Sequence, residues 1–188
     1  MQLIPTKIPD CYEIKLNPFN DARGVFVKTY HQEIFQEHQL ESQFREAYYS
    51  ASSQNVLRGL HFQVPPKEHT KLVHCAQGKV IDVVVDLRVG SPAYGEFVTF
   101  ELSAENANLA YVPPGLAHGF FIVSETALVM YQVSTVYSPT HEQGIRWDSI
   151  GYQWPGANPI VSDKDMQWKT LAEFESPFVY SEARSVSP

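Results

Sequence analysis

The sequence predicts an all-β fold, a double-sheet jelly roll or barrel with short peripheral helices. Three observations carry that expectation. Eight or more short apolar runs, rich in Val, Ile, Phe and Tyr, follow one another along the 188 residues. Thirteen prolines and ten glycines separate them, which sets turns between short elements. Little of the chain has helical spacing. An immunoglobulin-like sandwich fits less well, because no Cys…Trp…Cys spacing exists. A single domain over 1–188 is expected, with an irregular C-terminal tail over 167–188.

In chain order, CYEIKLN (11–17) and GVFVKTY (24–30) read as strands separated by the turn chemistry of NPFNDARG. In HQEIFQEHQLE (31–41), Ile34, Phe35 and Leu40 recur near helical spacing and predict a short surface helix. FREAYYSAS (44–52) reads as extended. The strongest strand signal is KLVHCAQGKVIDVVVDLR (71–88), two strands joined at Gly78, where Val80, Val83 and Val85 flank Asp82 and Asp86. GSPAYGEF (90–97) is a turn cluster; FVTFELS (97–103), NLAYVPP (108–114), GFFIVS (119–124) and ALVMYQVSTVY (127–137) supply four more strands. Beyond GYQWPGANP (151–159) the pattern is irregular, apart from a short helix in SDKDMQW. No repeat of fixed period interrupts this reading.

Composition narrows the function classes. A formal net charge of -7 argues against a nucleic-acid surface, though not against a local basic pocket for one phosphorylated ligand. No apolar run approaches the ~20 residues of a membrane span. MQLIPTKIPDCYEI lacks the basic start and apolar core of a signal peptide, so a cytoplasmic protein is expected. Cys11 and Cys75 form no CxxC motif and read as two buried thiols of a reducing compartment.

Two stretches carry candidate chemistry. YVPPGLAHGFF (111–121) sets Pro113, Gly115 and His118 in a P-x-G-x-x-H arrangement that resembles the second motif of the cupin superfamily, a jelly-roll family. Metal-binding cupins also need an earlier H-x-H. Here that stretch, within LRGLHFQ (57–63), reads His61-Phe62-Gln63, and Gln63 is a poor transition-metal ligand. Glu68 and His69 join such a shell only if the VPPKEHT loop folds back. No metal is therefore expected. The remaining polar residues, Arg58, His61, Gln63, Lys71, Asp82, His118 and Tyr131, have strand positions that alternation could direct into one barrel. Each alone has a structural reading; together, a base, a cation and an acid-capable phenol suggest a site, because burying ionisable groups is costly. Arg58 and His61 are three apart, so a regular strand would point them to opposite faces; a bend or bulge at Gly59 would reconcile them.

DARGVFVKTY, NVLRGLHFQ, KLVHCAQGKVIDVVVDLR, SPAYG, LSAEN, VPPGLAHGF, YQVSTVYSP, GIRW and VSDKD occur in this order over residues 8 to 166. This series resembles the dTDP-4-dehydrorhamnose 3,5-epimerase family, cofactor-free cupin-type isomerases of dTDP-rhamnose and polysaccharide biosynthesis. The resemblance implies proton abstraction and reprotonation next to the 4-keto group of a nucleoside-diphosphate-linked sugar. His61 matches the base, Asp165 its carboxylate partner, Lys71 the cation near the ketone oxygen and Tyr131 the acid on the opposite face. Arg23 and Arg58 match diphosphate contacts, Phe26 the base-stacking aromatic, His118 a second pocket histidine and Tyr137 a pocket-lining residue. Asp82 is read as a partner for Lys71. The resemblance also implies a homodimer that exchanges N-terminal strands, so that Arg23 and Phe26 serve the partner's site.

Two departures bear on specificity. Where the family commonly has FVQDNHS, this chain reads FREAYYS, which puts Glu46 and Tyr48 at substrate-contacting positions; VFVKT sets Lys28 where a Glu is usual. The leading expectation is a dTDP-4-dehydro-6-deoxyglucose 3,5-epimerase. A 3- or 5-only epimerase on a CDP-linked or other nucleotide sugar stays open beside it. More distant alternatives are a metal-dependent cupin enzyme and a non-catalytic sugar-nucleotide-binding jelly roll.

Overall fold

A computed structural model describes residues 1–181. The strands in chain order are β1 (Gln2–Pro5), β2 (Tyr12–Lys15), β3 (Phe19–Asp21), β4 (Gly24–Phe26), β5 (Glu46–Ser53), β6 (Leu57–Gln63) and β7 (Lys71–Gln77). They continue with β8 (Lys79–Asp86), β9 (Phe97–Ser103), β10 (Asn108–Val112), β11 (Leu116–Ile122), β12 (Thr126–Val133) and β13 (Glu142–Gly144). The helices are short: α1 (Gln32–Glu37), α2 (Asp163–Met166) and two 3-10 turns. Strands β1-β2-β10-β7-β12-β5 form one antiparallel sheet and β13-β6-β11-β8-β9 a second. The two face each other as a cupin-like jelly roll, and β3 and β4 make a separate hairpin.

Alternation explains which side chains fill the barrel. On β8, Val80 and Val84 join Val73, Phe100, Leu102, Phe120, Ile122 and Val129 between the sheets. The odd residues Val83 and Val85 turn outward and pack with Leu60, Phe62, Ile145, Phe174 and Phe178. A strand buried on both faces needs the near-continuous apolar run that made this segment the strongest strand signal. The outer face of the six-stranded sheet is covered by Phe35 of α1, which packs with Ile14, Leu72, Leu109 and Tyr111. Cys11 and Cys75 are free and buried in the inner cluster.

Several boundaries differ from the sequence reading. The 24–30 strand stops at Phe26, because Val27 and Tyr30 turn in to pack beneath the sheet with Phe35. The 127–137 strand stops at Val133, its last partner across both neighbours, and the chain then crosses the barrel mouth. GFFIVS belongs to a longer strand that already begins at Leu116. β1 and β13 had no sequence expectation. Of the 167–188 segment, residues 182–188 lie outside those described. The rest includes a turn at Leu171–Glu173, with Phe174 and Phe178 buried on the barrel and Val179 bridging Val89.

Candidate active site

The open end of the barrel holds a cavity of about 430 Å³. β6 sets its chemistry. Arg58 pairs with Phe120 of β11 and His61 with His118, so β6 advances three residues while β11 advances two. That is a β-bulge, and it brings Arg58 and His61 to one face, where both line the cavity. Gly59 sits at the bulge with φ +126, and a Cβ there would lie 2.6 Å from the Gly119 Cα. Only glycine accepts both that backbone and that approach.

His61 Nε2 lies 2.6 Å from Asp165 Oδ1, with the imidazole 30% exposed and the carboxylate 5%. Asp165 is carried by α2, whose N-cap Ser162 accepts from the Asp165 amide at 3.1 Å. Its second oxygen accepts from the Gly59 amide at 3.1 Å. Burial works against this carboxylate, but the hydrogen bond and charge of His61 and the Gly59 N–H outweigh it and hold its pKa below the ordinary range. A carboxylate so fixed accepts the hydrogen bond of the Nε2–H of neutral His61 and leaves Nδ1 as the basic nitrogen.

Lys71 begins β7 and is 6% exposed. Its ammonium donates to the His61 carbonyl at 2.9 Å and lines the cavity. Burial pushes its pKa down to about 8, against the opposing pull of Asp82 and Glu142. Tyr131, on β12, is buried, and its phenol is pushed well above its ordinary value, first by burial and further by the Asp82 charge. The phenol therefore keeps its proton across the physiological range.

Asp82 departs from its expected partner. Its Oδ2 lies 2.6 Å from His118 Nε2, and Lys71 feels it as a nearby charge. The β8–β11 register, with Phe120 opposite Asp82 and His118 two pairs further on the same face, decides this, and no local pattern encodes it. Burial lowers the His118 pKa, with Asp82 opposing.

Glu46 and Tyr48 also face the cavity, as do Gln63 and Tyr137. Glu46 accepts from the Tyr137 amide at 2.7 Å. The Gln63 amide is committed to the backbone, donating to Lys67 O at 2.7 Å and accepting from Ser138 N at 2.6 Å. His69 lines the cavity too, with its imidazole pushed down to about 3, first by burial and then by Lys71. Among the described residues no group of three or more His, Cys, Asp or Glu side chains is placed to hold a metal ion. Arg23, Phe26 and Lys28 lie outside this cavity, on or just beyond the β3–β4 hairpin.

Glu142 escaped the sequence reading. It lines the cavity from β13, opposite Gln63, and accepts from the Tyr137 hydroxyl at 2.5 Å and from Lys164 at 2.6 Å. Its only sequence signal is a carboxylate two residues before GIRW, and nothing local distinguishes it from a surface glutamate.

Fold and pocket together define a jelly-roll enzyme with its acid–base groups inside the barrel. A profile of the dTDP-4-dehydrorhamnose 3,5-epimerase family matches residues 5–173. The epimerase of that name from Shigella flexneri is 41% identical over 176 residues, covering 92% of this chain and 97% of the relative. The solved dTDP-4-dehydrorhamnose 3,5-epimerase of Elizabethkingia anophelis superposes with a TM-score of 0.85 at 40% identity, covering 92% and 97% of the two chains. The Legionella pneumophila dTDP-6-deoxy-D-glucose-3,5-epimerase, solved with dTDP-4-keto-L-rhamnose, superposes with a TM-score of 0.91 at 32% identity, covering 96% and 99%. The chain belongs to the dTDP-4-dehydrorhamnose 3,5-epimerase family, isomerases that act on nucleotide sugars.

Proposed function

We propose that this protein, acting as one domain, converts dTDP-4-dehydro-6-deoxyglucose to dTDP-4-dehydro-L-rhamnose by inverting C3 and C5. The observation that carries the reading is the His61–Asp165 pair in one cavity wall with buried Lys71 and Tyr131 lining the same space. His61 Nδ1 takes the proton from a carbon next to the ketone, the C–H electron pair becomes the C=C bond of the enolate, and the C=O π pair moves onto the ketone oxygen. The Asp165 carboxylate stabilises the resulting imidazolium. The Lys71 ammonium stabilises the developing enolate in a site where water is scarce. Tyr131 protonates the opposite face of the carbon.

Arg58 is assigned to the diphosphate, where a guanidinium fork suits phosphate oxygens. His118, Gln63 and Tyr137 line the sugar pocket. Arg23 and Phe26 belong, in this reading, to the partner's site in a homodimer that exchanges its N-terminal strands, with Lys28 beside them on the nucleotide side. Their exposure supports it: the Arg23 side chain is 88% accessible and Phe26 66%. An exposed Phe19, Val25 and Phe26 on one hairpin is an apolar surface that water disfavours. Sedimentation should give the mass of two chains, and a stable single chain would contradict the exchange. A cytoplasmic location is part of this proposal; no described helix is long and apolar enough to cross a membrane.

A second reading, a CDP-linked substrate or inversion at a single carbon, is favoured by one observation. Glu46 and Tyr48 face the cavity where the family commonly has Gln and Asn. Turnover of dTDP- and CDP-4-keto-6-deoxyglucose separates the two. The dTDP sugar is expected to be preferred, and a strong preference for CDP would overturn the assignment.

A further inference from the structure

We propose that Tyr48 is a positioning residue for Tyr131, and that the stacked pair sets how often an abstracted proton is replaced on the opposite face of the sugar carbon. The proposal rests on the acid role given to Tyr131 above.

Tyr48 and Tyr131 are direct partners across the antiparallel β5–β12 pair. Directly opposite residues share one face of a sheet, and here that face lines the cavity. Their rings lie 4.6 Å apart at 18°, which among the described residues is the one near-parallel aromatic contact. The other rings around Tyr131 meet it obliquely, His118 at 6.2 Å and 82°, Phe120 at 6.3 Å and 46°. They bound the phenol without fixing the tilt of its plane. β5 is the last strand of its sheet, so no further strand stands behind Tyr48. Tyr48 is 40% exposed while Tyr131 is 7% exposed. The Tyr48 ring is thus the wall between the acid and water.

The enolate has two fates. The His61 imidazolium can return a proton to the face it came from, after that proton has exchanged with water, which leaves the configuration unchanged. Alternatively the Tyr131 O–H bond breaks, its proton forms the new C–H bond on the opposite face, and the phenolate recovers a proton from water while His61 releases its own. The partition depends on how often the Tyr131 hydroxyl points at the carbon. A ring held flat against Tyr48 stays in that pose; a freed ring tilts and admits water.

The test runs the full chain in D2O with dTDP-4-keto-6-deoxyglucose and reads, by NMR, the ratio of deuterium uptake with retention to uptake with inversion. Tyr48→Ala is expected to raise that ratio by about twofold to tenfold, the scale of one aromatic pair. Tyr48→Phe keeps the stack and is expected to keep the wild-type ratio, whatever happens to KM. Tyr48→Asn gives the same reading if the alanine variant does not fold. An unchanged ratio in the unstacked variant overturns the proposal, as does an equal shift in Tyr48→Phe. Absence of any uptake by the wild-type protein would instead strike the epimerase reading itself.

Discussion

His61→Ala is expected to lower kcat by at least about 10²-fold, and by as much as about 10⁴-fold, the span of general acid–base catalysis. The size follows from the geometry. His61 lines the cavity with its side chain 30% exposed and a fixed carboxylate 2.6 Å from its Nε2. His118, paired in the same way with Asp82, cannot substitute, because it is only 3% exposed and burial lowers its pKa. His69 cannot either, since an imidazole pushed down to about 3 is too weak a base near neutral pH. The loss should fall on kcat, with the fold retained, because the His61 side chain is 30% exposed and fills no core position. Steady-state turnover alongside a thermal melt checks it; a variant within tenfold of wild type contradicts the base assignment.

Lys71→Met is expected to cost about 10²- to 10³-fold in kcat, the usual effect of removing one donor from a developing oxyanion. The same residue gives the pH dependence a sign. Activity needs the charged ammonium, so kcat should fall as pH rises through about 8. Stability responds oppositely. The folded pKa of about 8 lies below the ordinary 10.5, so between these values the unfolded chain holds more protons at this site. The contribution of Lys71 to stability therefore rises with pH across that window. Keeping this group charged and buried at neutral pH costs on the order of 3 kcal/mol, and Lys71→Met removes that cost. It also leaves Asp82 and Glu142 without their nearby cation. Turnover against pH for the two proteins reads the effect; a wild-type profile flat to pH 10 contradicts the role.

How much of this was legible in the sequence depended on whether a feature is local. β8 was legible because burial on both faces demands a near-continuous run of branched apolar residues, which the chain shows from Val80 to Val85 with Asp82 as the one interruption. The P-x-G-x-x-H stretch was legible because Gly115, at φ +86, makes a turn few other residues accept. The end of β12 was not, since the residues after Val133 keep an apolar and β-branched character as they cross the mouth of the barrel. Asp82 was read as a partner for Lys71, and it lies close enough for Lys71 to feel its charge, yet its hydrogen-bond partner is His118, which depended on a non-local register. Glu142 was invisible for the same reason: β13 is three residues long and becomes part of the site only by pairing with β6. The Arg58–His61 spacing raised a local contradiction, and the bulge beside Gly59 resolves it.

In the proposed reaction one barrel removes and replaces protons on both carbons flanking the ketone. The most direct test is incubation of the wild-type protein with dTDP-4-keto-6-deoxyglucose in D2O, with C3 and C5 read separately by NMR. Deuterium at both carbons, with both configurations inverted and uptake abolished in His61→Ala, is the expected result. Deuterium confined to one carbon, or uptake that persists without His61, would contradict it.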